Sequence, residues 1–195
     1  MAPEAKLIMF DHGSSRVPLN VSVKNLLTSF IKEHDIIAIV GLGNEYRTDD
    51  GAGTALIRLL ENEVVGKTNR VALFDGDRNL VCCLSDIEKL KPSGLLLFDA
   101  ANLGMKSGTV VALAENQITE QRISTHENNL DLATAYVNMT LPDCKILFIG
   151  IQFESLEMSE KLMLTQETRR AVDSLVRLVA DAVSRKGGAR YVRCF

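Results

Sequence analysis

The stretch from Ile36 to Thr54 reads IIAIVGLGNEYRTDDGAGT and decides the fold of this 195-residue chain. It begins with an apolar run, 36–40, which is rich in β-branched residues and ends at a glycine. A polar loop with the acid pair Asp49 and Asp50 follows, and apolar residues then recur with the period of a helix. This order predicts a buried parallel strand that leads into a helix. Because ligands bind at the carboxyl ends of such strands, the loop is the first candidate for a functional site.

Four further apolar segments resemble the first one and alternate with helical patterns. Strands are predicted at 36–40, 71–74, 95–98, 109–114 and 146–151, and helices from Asn20 and at 52–64, 80–90, 128–139 and 166–185. The connection before 109–114 is too short for a parallel crossover, so this strand is expected to be antiparallel at an edge. The alternation predicts an α/β fold, a three-layer α/β/α sandwich around a mostly parallel five-stranded sheet with an antiparallel edge strand.

No repeat, low-complexity segment or linker divides the sequence, so residues 1–195 are predicted to form a single domain. Its core is expected to cover residues 36–185. Residues 1–19 show no clear periodicity and are interpreted as an N-terminal extension. Residues 189–195 are expected to form a short, loose tail.

The composition narrows the class of protein. Hydrophobic residues make up 46% and charged residues 24% of the chain, as in ordinary soluble globular proteins. The net charge of −3 argues against a nucleic-acid partner. Since no apolar run approaches the roughly 18 residues of a membrane span and no secretory signal is evident, we expect no membrane insertion and a cytoplasmic location. The four cysteines lack zinc-site spacing and are expected to be reduced or incidental thiols.

Polar side chains stand where predicted strands give way to loops or helices. The main candidates are Asp50, Asp99 and His126, and Asp75 and Asp77 are two more acids of this kind. Because the ends of neighbouring parallel strands converge, we expect the three main candidates to meet around a common point. Two carboxylates and an imidazole suit a divalent cation such as nickel, zinc, manganese or iron. They also suit acid–base chemistry without a metal, and a third interpretation is that the acids only cap helices.

Better-known functional motifs are absent from the sequence. A dinucleotide-binding fingerprint would need a glycine where Tyr46 stands. The glycines are not followed by the Gly-Lys-Ser/Thr of a phosphate-binding loop. Neither a Gly-x-Ser-x-Gly nucleophile turn nor a His-Glu-x-x-His zinc motif occurs.

Several short motifs, each weak alone, are informative about the family when they are taken together and in their order along the chain. They are Gly41-Leu-Gly-Asn44 with Asp49-Asp50-Gly51-x-Gly53, Asp75-Gly76, Leu-Phe-Asp99-Ala100, Ser124-Thr125-His126 and Phe148-Ile-Gly-Ile-Gln152. This set covers about residues 36–185 and resembles the maturation endopeptidases of nickel–iron hydrogenases. The resemblance is nearest to the branch that processes the large subunits of formate-linked, membrane-bound or coenzyme-reducing hydrogenases.

The resemblance implies an endopeptidase, either aspartyl-type or nickel-dependent, that removes the C-terminal extension of a hydrogenase large-subunit precursor after nickel insertion. It assigns both the catalytic role and the metal contacts to Asp50, Asp99 and His126. Nickel would then arrive with the substrate, and no tightly bound cofactor of the protein's own is expected. The implied partner is the precursor, and we expect the protease to be a monomer.

The sequence departs from this family at two positions and leaves two alternatives open. Many members have Glu where Asp50 stands, and the second-strand turn, usually Asp-Gly-Gly-Thr, here reads Asp75-Gly-Asp-Arg78. One alternative is a hydrolase like the peptidyl-tRNA hydrolases, which also open with Gly-Leu-Gly-Asn but then carry a catalytic histidine that is missing here. The other is a non-catalytic nickel-binding maturation chaperone that uses the same three residues.

Overall fold

The apolar run that opens the motif forms a central strand of the sheet. The computed structural model describes residues 21–64, 70–115, 117, 124–185 and 190–193. Strand β1, Ile37–Gly41, is buried along its whole length. It pairs in parallel with β2, Val71–Asp75, on one side and with β3, Gly94–Ala101, on the other. Apolar residues on both of its faces are typical of a strand that helices cover from both sides.

The sheet has the strand order β4-β5-β3-β1-β2-β6. Its remaining strands are β4, Val110–Ala114, β5, Lys145–Gln152, and β6, Arg190–Arg193. Among the described strands β4 alone runs antiparallel, against β5 at one edge, which confirms the predicted mixed sheet. At the other edge β6 pairs in parallel with β2 and adds a sixth strand. The expectation of a loose tail is therefore wrong for Arg190–Arg193.

Helices cover both faces of the sheet. They are α1, Val21–Glu33, α2, Ala52–Val64, α3, Leu84–Leu90, α4, Glu127–Thr140, and α5, Gln166–Ser184. Residues of α1, α2 and α5 form one apolar cluster with Ile37 and Ile39. Residues of α3 and α4 form a second cluster with Ala38 and Val40. Since neighbouring residues of a strand point to opposite faces, β1 contributes to both clusters, and the predicted three-layer sandwich is confirmed.

The structure differs from the predicted elements in local detail. The helix expected at 80–90 begins as a 3-10 turn, Leu80–Cys83, because the side chain of Asn79 accepts a hydrogen bond from the Val81 amide. Cys83 is disulfide-bonded, so the expectation of reduced or incidental thiols is wrong there, whereas Cys82 and Cys144 are free. The predicted extension 1–19 and the helix start at Asn20 lie outside the described residues.

A close contact between glycines places the first loop over the edge of the sheet. A Cβ atom on Gly41 would lie 2.1 Å from the carbonyl oxygen of Gly53. One on Gly53 would lie 2.2 Å from the carbonyl oxygen of Leu42. Side chains at either position would push the start of α2 away from β1. The glycines therefore allow the 3-10 turn Thr48–Gly51, which carries Asp50, to lie against the sheet.

Candidate active site

A buried aspartate–histidine pair lies near the carboxyl edge of the sheet. Asp99 is fully buried within β3, which continues to Ala101 instead of ending at residue 98 as predicted. His126 directly precedes α4. Its Nδ1 atom lies 3.1 Å from Oδ1 and 3.2 Å from Oδ2 of Asp99. The structure thus brings two of the three predicted site residues into direct contact.

The two residues before His126 form hydrogen bonds with this pair. The Ser124 hydroxyl donates a hydrogen bond to Oδ2 of Asp99 and accepts one of 2.9 Å from the backbone amide of His126. The Thr125 hydroxyl donates to Oδ1 of Asp99 over 3.3 Å. An isolated bridge between Ala101 and Ser124 ties the segment to β3. Both oxygens of Asp99 are therefore occupied by the Ser-Thr-His motif.

The hydrogen bond to Asp99 determines which ring nitrogen of His126 carries the proton. An ionised carboxylate can only accept, so Nδ1 must be the donor. In the neutral ring the lone pair is then on Nε2, which is the atom left to take a proton or to bind a metal ion. Such a carboxylate-backed imidazole is a common arrangement for both purposes.

The environment also changes the acidity of His126. Burial of the ring acts to lower its pKa, but the hydrogen bond and the charge of Asp99 act in the opposite direction, and the charges of Asp50 and Asp77 add to them. The net result is a pKa above the ordinary value of histidine. The ring therefore keeps its proton up to a higher pH than a free histidine does.

Asp50 is buried and incompletely hydrogen-bonded. It is 3% exposed, and its Oδ1 atom has no hydrogen-bond partner within the described part of the chain. A buried polar atom without a partner costs on the order of 1–3 kcal/mol. Since its charge contributes to the raised pKa of His126, its carboxylate lies within electrostatic reach of the ring. This unpaired carboxylate oxygen can bind a cationic group that enters the site.

The three predicted residues do not form a preassembled metal site. Within the ranges that the structure describes, no group of three or more histidine, cysteine, aspartate or glutamate side chains is arranged to hold a metal ion. Asp99 and His126 are in contact, and the charge of Asp50 acts on the ring of His126. Their joint role as metal ligands and catalytic residues stays a prediction.

Asp75, the last residue of β2, and Asp77, in the turn that follows, have different environments. Asp75 is buried, and it accepts hydrogen bonds of 3.2 Å from the Thr54 hydroxyl and 3.0 Å from Nε of Arg58. These partners identify it as a structural residue. Asp77 has a side chain that is 63% exposed, and its backbone has a φ of 44°, a left-handed conformation. Its charge still contributes to the raised pKa of His126.

Asp49, beside Asp50, has a complete set of hydrogen bonds. It is fully buried, and its Oδ2 atom accepts from the amides of Glu154 (2.8 Å) and Ser155 (3.2 Å). Thr165 donates its amide to Oδ1 over 2.7 Å and its hydroxyl to Oδ2 over 2.8 Å. Because Thr165 is the N-cap residue of α5, Asp49 caps a helix that is distant in sequence. The helix-capping interpretation of the acids is thus supported for Asp49.

The backbone that leads into this turn is strained. Thr48 has a φ of 23°, which is unusual for a β-branched residue and costs on the order of 1–3 kcal/mol. Its hydroxyl donates to the carbonyl oxygens of Ser155 (2.8 Å) and Glu157 (3.1 Å). The amide of Asp49 donates to the carbonyl oxygen of Ser155 over 3.2 Å. The segment around 155–157 therefore holds the turn in its strained conformation.

Comparison with known families shows to which family the chain belongs. The family model HycI, described as hydrogenase maturation protease, matches residues 55–182, which is more than half of the chain. This chain belongs to the hydrogenase maturation protease family. It is therefore a hydrolase that acts on peptide bonds and has a role in hydrogenase maturation. The resemblance inferred from the motifs is confirmed.

Curated relatives of this protease agree with the assignment. A protein of Methanocaldococcus jannaschii, whose name assigns it to the hydrogenase maturation proteases, is 24% identical over 168 residues, which cover 83% of this chain and 96% of the relative. The hydrogenase expression/formation protein HoxM of Azotobacter vinelandii is 29% identical over 127 residues. That match covers 62% of this chain and 59% of HoxM.

Solved structures show the same fold. The hydrogenase maturation protease HycI of Thermococcus kodakarensis superposes with a TM-score of 0.72 at 22% identity, covering 82% of this chain and 99% of HycI. The hydrogenase-maturating endopeptidase HybD of Escherichia coli gives a TM-score of 0.64 at 23% identity, covering 78% of this chain and 94% of HybD. At these identities the likeness supports the α/β/α architecture of the maturation protease and nothing finer.

Membership of the maturation proteases sets aside the two alternatives from the sequence. Neither a peptidyl-tRNA hydrolase nor a non-catalytic nickel chaperone agrees with a peptidase family. Among the described residues, none of the helices has the length and apolar composition that are needed to cross a bilayer.

Sequence reasoning missed several residues that support the site. Arg58 and Thr54 hold Asp75, while Ser155 and Thr165 hold Asp49. Each of these residues is of a common polar type that carries no signal by itself. Only the fold shows that they meet an acid from another part of the chain.

Proposed function

We propose that this hydrogenase maturation protease removes the C-terminal extension of a nickel–iron hydrogenase large-subunit precursor after nickel insertion. The nickel ion is part of the substrate and arrives bound to the precursor. One observation supports this proposal above the others: an incompletely bonded, buried Asp50 carboxylate lies within electrostatic reach of the Asp99-backed His126. A positive centre that enters between Asp50 and His126 would satisfy both groups.

The donor atoms fit a first-row divalent ion. A carboxylate oxygen of Asp50 and Nε2 of His126 are ligands that nickel accepts readily. The oxygens of Asp99 are already bonded, so Asp99 either orients His126 or exchanges one of its hydrogen bonds for the ion. Cleavage would then wait for nickel, because an unloaded precursor lacks this part of the binding free energy.

Two chemical routes use the same residues. In the first, the substrate-borne ion polarises the scissile carbonyl or activates a water molecule. In the second, Nε2 of His126 takes a proton from the attacking water, and Asp99 stabilises the imidazolium that forms. An unmetallated peptide that spans the cleavage region separates them. Slow cleavage at high peptide concentration supports the acid–base route, and complete resistance supports the metal route.

The proposal is tested by incubating the protease with nickel-loaded and with nickel-free precursor and measuring the intact masses of the products. We expect loss of the extension from the loaded precursor alone. The variants Asp50→Ala and His126→Ala should leave it intact, while the exposed-surface control Asp86→Asn, which breaks only an ion pair with Lys89, should process normally. Normal processing by either site variant would overturn the proposal.

We further propose that the protease works as a single-domain monomer in the cytoplasm, without nucleic acid or a resident cofactor. Light scattering of the purified protein tests the first part. A molecular mass of twice the chain mass of 21.4 kDa would contradict it.

A further inference from the structure

We propose that Asp49 is the positioning residue of the active site, which holds the neighbouring Asp50 carboxylate where it meets the substrate. The inference rests on the proposed function of Asp50. The Asp49 cluster consists of Asp49, Glu154, Ser155 and Thr165, and it joins the 3-10 turn to the loop before α5. Its four hydrogen bonds all end on one fully buried carboxylate.

The turn that carries Asp50 is not a conformation that the chain would adopt without support. Thr48 has a left-handed backbone, and Asp50 has a buried oxygen that finds no partner among the described residues. Both features are unfavourable, so they persist only when surrounding contacts fix the backbone between them. Asp49 stands between these two residues and has the largest number of such contacts. Without them, the turn would relax and the Asp50 carboxylate would rotate towards water.

The cluster requires a carboxylate at position 49, because every partner of Asp49 in it is a hydrogen-bond donor. Each oxygen of Asp49 faces at least one N–H donor, Oδ1 the amide of Thr165 and Oδ2 the amides of Glu154 and Ser155. An asparagine keeps the shape but replaces one oxygen by an NH₂ group, which is a donor. Whichever way the amide is oriented, at least one N–H of the protein then faces another donor. Asp49→Asn therefore opens one side of the cluster.

The test compares Asp49→Asn with Val179→Ala, a substitution in the buried face of α5 that destabilises the fold away from the site. Both variants are assayed with nickel-loaded precursor below their melting temperatures. We expect kcat of Asp49→Asn to fall roughly tenfold to a hundredfold with little change in KM, as for a catalytic group displaced by about 1 Å. Val179→Ala should retain the kcat of the wild type. Faster amide hydrogen exchange at Glu154 and Ser155 in Asp49→Asn would show that the cluster has opened.

A second variant keeps the proposal testable if Asp49→Asn does not fold. Thr165→Val removes only the hydroxyl donor to Asp49 and leaves the amide in place, so we expect a smaller loss of kcat at unchanged KM. Wild-type kcat in folded Asp49→Asn, or in Thr165→Val if the former does not fold, would overturn the role of Asp49. The proposed function would still stand if Asp50→Asn abolished processing in the same assay. Normal processing by Asp50→Asn would instead overturn the proposed function itself.

Discussion

Two buried aspartates flank the end of β1, and their partners are of different kinds. Asp75 ends β2 and bonds to Arg58, whose guanidinium keeps its charge at any physiological pH. Asp99 lies in β3 and bonds to His126, whose ring can be neutral or charged. Both acids follow apolar runs of a parallel strand. The two acids therefore differ in their partners: that of Asp75 is a permanent cation, and that of Asp99 is a ring that can gain and lose a proton.

The largest effect that this comparison predicts is on activity. Asp99→Asn removes the charge behind His126 and allows the ring to adopt the wrong tautomer. We expect processing of the nickel-loaded precursor to fall roughly tenfold to a hundredfold, as for other carboxylates that orient a histidine. The rate of extension release, followed by intact mass, is the measurement. A wild-type rate would remove the distinction between Asp99 and Asp75.

The corresponding substitution on the other side of β1, Asp75→Asn, should lower the stability of the fold. Asp75→Asn weakens the contacts to Arg58 and Thr54, and we expect the free energy of unfolding to fall by about 1–2 kcal/mol. The partial exposure of Arg58 keeps this value modest. Processing should stay within about threefold of the wild type, because the hydrogen bonds of Asp75 to Thr54 and Arg58 do not involve Asp50, Asp99 or His126. Urea unfolding and the processing assay, done on the same preparation, check both parts, and a severe loss of activity in a stable protein would contradict them.

The two pairs should also differ in their response to pH. The pKa of His126 is raised in the folded state, so its pair stabilises the fold fully below the unfolded pKa of about 6.5 and loses this contribution as pH rises through the folded pKa. The stability difference between wild type and His126→Gln should therefore shrink as pH rises. The difference between wild type and Asp75→Asn should stay constant over the same range. Urea unfolding at several pH values tests this, and a His126 difference that grows with pH would contradict the sign.

The smallest expected effect concerns Asp77, which lies in the turn after β2 and whose charge acts on His126. Asp77→Gly removes one negative charge and fits the left-handed backbone at this position. We expect a slight decrease in the pKa of His126, because the Asp77 charge is one of the causes that raise it. An NMR titration of the His126 ring measures the change. An increase would show that Asp77 does not act on the ring as described.

Much of this fold follows from local sequence patterns. The apolar runs of β1 and β3 and the helical periodicity of α2 and α5 predict a parallel sheet between helices, as observed. The contact between Asp99 and His126 was expected because parallel strand ends converge. The strand β6 escaped prediction because it has four residues, two of which are arginines, and it gains its identity only by pairing with β2.

The roles of the acids were harder to predict because they depend on distant residues. Asp49 and Thr165 are 116 positions apart, and Arg58 and Asp75 are 17 apart. The periodicity of a sequence predicts whether a segment is a helix or a strand. It does not show which distant residue a given side chain contacts. Asp49 and Asp50 are adjacent and of the same residue type, yet in the part of the chain that the structure describes both oxygens of Asp49 are bonded and one oxygen of Asp50 is not.

The central claim is that the substrate-borne nickel ion meets His126 and Asp50, and nickel X-ray absorption tests it most directly. Nickel-loaded precursor is mixed with the protease and frozen within the first turnover. We expect nickel to gain nitrogen and oxygen neighbours when the wild-type protease binds. Their imidazole signature should be absent with the His126→Gln variant. A nickel spectrum that stays the same when wild-type protease binds would contradict it.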